Sequence, residues 1–228
     1  MRYESINLGT ELNPQTINLG VDCNSAENTT FIKLFKEFKD VFAWTYDDLK
    51  TFNTQFMQHI IPIKQESKPF QKNLRKYHPS LEPTIKKELN KLLAAKIIFP
   101  IRHTQWVANL VSVRKKNEDI RLCVYFRNLN KSSEKDNYPV PPMEQILQKV
   151  SGSEILSLLD GFSGYNQILV SLDDQLKTAF RIPWGTYAYC KMPFGLINDG
   201  ATFQRAMDIA FRGLINHSFV VYLDDVTV

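Results

Sequence analysis

Residues 217–228 read HSFVVYLDDVTV. The apolar run ending at Tyr222 has the composition of a β-strand, and it leads directly into two adjacent carboxylates, Asp224 and Asp225. A second apolar run, ILSLL at 155–159, leads in the same way into Asp160. An ionised carboxylate at the end of a buried strand is costly unless it is paired, hydrogen-bonded or bound to a metal. Neither Asp160 nor Asp224 has a lysine or arginine beside it in sequence, and no cluster of His, Glu or Cys competes as a metal site. If the two strands are neighbours, Asp160 and Asp224 meet although 64 positions separate them. Hard oxygen donors of this kind select Mg²⁺ or Mn²⁺ over Zn²⁺. Two such ions about 3.5–4 Å apart can clamp the attacking and leaving oxygens of a phosphoryl transfer. The plainer alternative is that Asp224 and Asp225 open a surface turn.

Working outward, the 228 residues are 43% apolar and 12% aromatic, enough for a sizeable core in one large domain or two small ones. Cys23, Cys123 and Cys190 are scattered, which argues against a disulfide framework or a cysteine zinc site and fits an intracellular setting. The start, MRYESINLGTELN, has no signal-peptide pattern, and no run of 18 apolar residues suggests a membrane span. The net charge of +4 is unevenly distributed. Residues 61–131 hold 16 lysines and arginines against 5 acids, whereas 132–228 hold 7 against 11. A basic block beside an acidic centre suits a polyanion held near a metal site; a solvated lysine-rich face is the alternative.

The hydrophobic spacing predicts two short strands at ESINLG and QTINLG, then a helix over 31–46 with Phe31, Leu34, Phe35, Phe38, Val41 and Phe42 on one stripe. A helix follows HPSLEP, capped by Ser80 with Pro83 in its first turn. WVANLVSVRKK and IRLCVYFRNLN form a basic hairpin around KNED. A short helix starts near Met143, ILSLL is a buried strand, QILVSL and KTAFRIP are further strands, and DGATFQRAMDIAFRGL is a helix. The domain reading is a lead region (1–60), a basic module (61–138) and an apolar module with the aspartates (139–228).

Tyr222–Asp225 resembles the Tyr-x-Asp-Asp motif of reverse transcriptases. LLDGFSGYNQI (158–168) resembles the first-aspartate motif of the retroviral and long-terminal-repeat retrotransposon enzymes, and KTAFRIPWGTYAYCKMPFGLINDGATFQRAMD (177–208) the Ty3/gypsy form. The stretch LFKEFKDVFAWTYDDL (34–49) resembles the segment between protease and polymerase in plant gypsy-type polyproteins. The resemblance implies an α+β right-hand polymerase fold with fingers and a partial palm, and an RNA-directed DNA polymerase. It implies two Mg²⁺ (or Mn²⁺) ions on Asp160, Asp224 and Asp225. At the nucleotide site it implies Arg121 with Lys115 or Lys116 on the triphosphate, and Gly161, Phe162, Phe194 and Gly195 around it. Tyr165 would lie below the sugar to exclude a 2′-hydroxyl, though its pattern alone fits a core aromatic. Gln204 matches a family position whose role is open between site and scaffold.

The implied partners are an RNA or DNA template with its primer, deoxynucleoside triphosphates, and the protease, thumb, ribonuclease H and integrase segments of a polyprotein. The implied location is intracellular: a cytoplasmic virus-like particle if the element is active, with the nucleus as the alternative. Three departures stand out. The usual Val-Asp-Tyr-Arg is Val124-Tyr125-Phe126-Arg127, the usual Asn-Ala-Pro is Asn198-Asp199-Gly200, and Tyr-Glu-Trp is Tyr187-Ala188-Tyr189. They favour, as the alternative, an inactive remnant that only binds nucleic acid; a purely structural polyprotein segment is a third reading. The remaining palm, the thumb and ribonuclease H are expected to follow Val228, so the chain is read as a fragment with little polymerase activity of its own. The Asp224-Asp225 turn is expected to lack its return strand.

Overall fold

The computed structural model describes residues 2–114, 120–215, 217 and 219–228. They fall into two compact units that divide between Leu49 and Lys50. In the first unit, β1 (Tyr3–Asn7) and β2 (Thr16–Gly20) pair antiparallel with Tyr3 opposite Gly20. The Asn7 side chain accepts from the amides of Gly9 and Gln15, both at 2.8 Å, and so closes the intervening loop. Gly9 cannot carry a side chain there, because a Cβ would lie 2.2 Å from the Asn13 carbonyl oxygen.

Helix α1 spans Ser25–Glu37, not 31–46. Asn24 and Glu27 form a capping box that starts it early. The chain then tightens into a 3₁₀ turn at Lys39–Val41, which takes Val41 and Phe42 off the helix. No α1 residue is buried. Aromatic residues of the stripe pack against one another and Trp44 instead, stacked at 6.4 Å between ring centroids for Phe31–Phe35, edge-on at 5.7 Å for Phe35–Phe42 and tilted at 6.0 Å for Phe42–Trp44.

The second unit contains α2 (Glu82–Ala94), β3 (Ile98–Ile101), β4 (Ala108–Arg114), β5 (Ile120–Tyr125), α3 (Arg127–Ser132) and α4 (Met143–Val150). After them come β6 (Leu158–Asp160), β7 (Phe180–Ile182), β8 (Gly185–Tyr189), α5 (Asp199–Ala210), β9 (Val220–Tyr222) and β10 (Asp225–Thr227). His78, not Ser80, caps the 3₁₀ turn that leads into α2, accepting from the Ser80 amide. Pro83 sits in the first turn of α2, and Ile85 and Leu89 are its buried residues. QILVSL forms no strand; Leu169 and Val170 make only isolated bridges, to Lys191 and His59.

Five strands form a mixed sheet in the order β3-β8-β7-β4-β5, and a separate three-stranded sheet runs β6-β10-β9. β4 and β5 are the expected hairpin, with Arg114 opposite Ile120. Ile85, Ile97, Leu110, Phe126, Ile168, Phe180 and Met192 are buried in the core. The three cysteines are free. Among the described residues, no helix is long and apolar enough to cross a membrane.

His59 is buried in this unit with Nδ1 at 2.9 Å from the Thr202 hydroxyl. Burial pushes its pKa down to about 4, against an opposing pull from Asp174 and Asp136. Between pH 6.5 and about 4 the unfolded chain therefore binds a proton that the folded one refuses, and stability falls as pH falls through this window. The loss should reach about 3 kcal/mol. Urea denaturation at pH 7, 5 and 4 checks this; His59→Gln should flatten the dependence, and an equally steep fall in that variant would contradict it.

Candidate active site

The acidic pair sits on a tight hairpin. Asp225 lies opposite Tyr222, so Leu223 and Asp224 alone make the turn. Leu223 takes a left-handed φ of +55°, at a position where glycine is the usual residue. The return strand is therefore present, contrary to expectation. As β10 it is also the central strand, bonded to β9 on one side and β6 on the other. Its register sets Asp225 opposite Asp160 as well as opposite Tyr222. The strands that lead to Asp160 and Asp224 are not neighbours but flank β10. The Gly161 amide donates to the Asp224 carbonyl oxygen at 3.3 Å and ties the two aspartate segments together.

The burial expected of ILSLL is not found. Leu158 is 78% exposed and Leu159 53%, and Asp160 is exposed too. β6 is an edge strand bonded only to β10, and an apolar run reports composition, not whether its face is covered. Behind Asp224 the sheet is buried at Val221 and Val226. The backbone thus brings Asp160, Asp224 and Asp225 to one end of the sheet. The side chains are not gathered: among the described residues, no group of three or more His, Cys, Asp or Glu is placed to hold a metal ion.

Beside this end lies an aromatic stack. Tyr165 is 5% exposed, with its ring 4.7 Å from Phe203 at 9° and 4.3 Å from Phe194 at 33°. Gly164 makes room for it, since a Cβ there would stand 2.8 Å from the Phe203 ring. Burial, then the carboxylates of Asp199 and Asp224, push the Tyr165 hydroxyl above the usual phenol range. Phe162 and Phe194 are exposed. The Gly195 peptide is gripped at both ends: its amide donates to Asp199 at 2.7 Å, and its carbonyl accepts from Asn130 at 2.8 Å. Asp199 also accepts from the Gly200 amide at 2.6 Å, and burial raises its pKa. Sequence reading registered Asp199 only as a departure; an acid in the first turn of a helix was the available signal. Arg121 is exposed on β5 opposite Val113, and Lys115 and Lys116 lie outside the described residues.

An open groove of about 870 Å³ runs past Gly195 and Asn130 and carries four cations, Lys64, Arg127, Lys131 and Lys135. Three of these belong to the basic block of the sequence. A family model described as reverse transcriptase (RNA-dependent DNA polymerase) matches residues 113–228. The chain belongs to the reverse transcriptase family. It is similar to the retrovirus-related Pol polyprotein from transposon gypsy of Drosophila melanogaster, 33% identical over an alignment of 210 residues, with 85% of this chain and 20% of that protein covered. It is also similar to that from transposon 297 of the same organism, 30% identical over 208 residues, 90% of this chain and 20% of that one. This reverse transcriptase chain therefore spans about a fifth of the length of those relatives. Among solved structures, the foamy viral protease-reverse transcriptase in complex with RNA/DNA hybrid superposes with a TM-score of 0.71 at 19% identity, over 94% of this chain and 30% of that one. At that identity the likeness establishes the fold, a right-hand polymerase fold with fingers and part of a palm.

Proposed function

We propose that this reverse transcriptase chain is the fingers and palm segment of an RNA-directed DNA polymerase, which adds deoxynucleotides to a primer 3′-hydroxyl and releases pyrophosphate. One observation carries the reading: the register of β10 sets Asp225 against Asp160, while the Gly161 amide holds the Asp224 peptide. Asp160, Asp224 and Asp225 would hold Mg²⁺ or Mn²⁺, whose hard-oxygen preference matches three carboxylates. When bound, two such ions supply positive charge at the attacking and leaving oxygens. Arg121, with Lys115 or Lys116, would face the triphosphate; Gly161, Phe162, Tyr165, Phe194 and Gly195 would line the sugar and base. The remaining polyprotein segments, a protease, thumb, ribonuclease H and integrase, would be its partners inside an intracellular virus-like particle.

A second reading is a remnant that binds nucleic acid without catalysis. It is favoured by carboxylates that are not gathered into a coordinating group, and by Tyr125 where the family pattern has aspartate. Both readings place the nucleic-acid backbone along the groove of Lys64, Arg127, Lys131 and Lys135. Four neutralised phosphates on a single strand give a log–log salt slope of roughly −3. Filter binding of a mixed-sequence oligonucleotide between about 50 and 300 mM salt measures it. Arg127→Ala with Lys131→Ala should shallow the slope by about 1.4; an unchanged slope would remove the groove from the binding surface. Primer extension on an RNA template separates the two readings, since only the polymerase lengthens the primer.

A further inference from the structure

A chain of hydrogen bonds leads away from the catalytic turn. The Leu223 amide donates to Gln204 Oε1 at 3.0 Å. An amide N–H only donates, so the Gln204 oxygen must face it and the Gln204 nitrogen must face away. That nitrogen donates to Asp208 Oδ1 at 3.1 Å, and the Tyr138 hydroxyl donates to Asp208 Oδ2. Each carboxylate oxygen thus receives one donor, and the direction of every bond is fixed. Gln204 is 2% exposed, out of reach of competing water. The far end is anchored as well. Arg205 pairs with Asp136 at 2.8 Å and lies over the Tyr138 ring at 4.3 Å, and the Tyr138 amide donates to Asp136 at 2.9 Å.

We infer that Tyr138, Asp208 and Gln204 are positioning residues for the catalytic turn, a relay that holds Leu223 in its left-handed conformation and thereby sets where Asp224 points. Leu223 has a side chain at a position that favours glycine, so its conformation needs an outside restraint. The bond on its own amide supplies one, and Asp208 fixes the glutamine that makes it. The relay also links the turn to the segment around Asp136 and Tyr138, which lies some 85 positions earlier in the chain. Its consequence for metal binding rests on the proposed role of Asp224; its consequence for the turn does not.

The test therefore has two independent readouts, made on the 228-residue protein. Native-state amide exchange is followed at Leu223, with the core amide of Met192, bonded to the Ile168 carbonyl at 2.8 Å, as internal reference. Gln204→Met should speed Leu223 exchange about tenfold relative to Met192, and Tyr138→Phe, which loses only a hydroxyl, about threefold. Asp208→Asn, left with a single side-chain acceptor for two donors, should fall between them. Selective acceleration at Leu223 supports the relay. Equal acceleration at both amides, or none at Leu223, overturns it. Mn²⁺ affinity is then measured by electron paramagnetic resonance, with about a fivefold weakening expected in Gln204→Met. Absence of Mn²⁺ binding in the wild type would sink the metal reading while leaving the exchange result to judge the relay. Binding that is equally tight in the wild type and all three variants would show that the relay does not place Asp224.

Discussion

Asp224→Asn, in a Pol polyprotein that carries this sequence as its polymerase segment, is expected to lower Mg²⁺-dependent primer extension by on the order of 10³-fold. Primer–template affinity should change by less than about twofold, because the cations proposed to hold the phosphates lie in a groove lined by none of the three aspartates. The substitution keeps the size of the side chain and removes one charge at the position whose backbone Gly161 holds. Asp160→Asn should behave alike, since the register sets Asp160 against Asp225. Extension rate and filter binding, run on the same preparations, check both halves. Full activity in either variant would take the metal assignment away; a parallel loss of affinity would make the aspartates structural.

Tyr165→Ala is expected to destabilise the second unit by roughly 3–5 kcal/mol, the cost of deleting a buried ring from between two others. The stack of Phe194, Tyr165 and Phe203 is the basis. Tyr165→Phe keeps the stack and loses only the hydroxyl, so it should cost no more than about 1.5 kcal/mol. Urea denaturation measures both. The proposed role beneath the sugar adds a second expectation: Tyr165→Ala should also relax the preference for deoxynucleotides over ribonucleotides. Comparing extension with the two substrates decides this. Lost stability with an unchanged preference would leave Tyr165 a core residue; unchanged stability would contradict the stack itself.

Much of the fold was legible because its elements carry a clear period. α2, α4, α5 and the hairpin of β4 and β5 lie close to where hydrophobic spacing puts them. β3 and β8 were missed because each is short and broken by an awkward residue. Pro100 sits inside β3, which its edge position in the sheet allows, and Gly185 opens β8. The bounds of α1 were misjudged because the apolar stripe outran the helix, whereas the capping box of Asn24 and Glu27 marked its true start.

At the candidate site the aspartates were legible as residues but their arrangement was not. Composition brought Asp160 and Asp224 together as ends of adjacent strands. The structure inserts β10 between those strands and makes Asp225 the residue opposite Asp160. Nor could spacing show that ILSLL is uncovered, since apolar strands look alike whether or not something packs on them. The relay was invisible for a different reason. Gln204 and Asp208 stand four apart on a helix, which reads as an ordinary polar face, and their partners Tyr138 and Leu223 are far away in sequence.

The most direct test of the central claim, that Asp160, Asp224 and Asp225 form one divalent-metal site, is metal-directed cleavage of the chain. Fe²⁺ accepts the same oxygen donors as Mg²⁺, and with ascorbate and peroxide it generates hydroxyl radicals that cut the backbone beside the ion. Mass spectrometry of the fragments should place the cuts at two segments, around Asp160–Gly161 and around Asp224–Asp225, with both suppressed together by excess Mg²⁺ and lost in Asp224→Asn. Cuts confined to other parts of the chain, or cuts at these segments that persist in Asp224→Asn, would contradict a shared site.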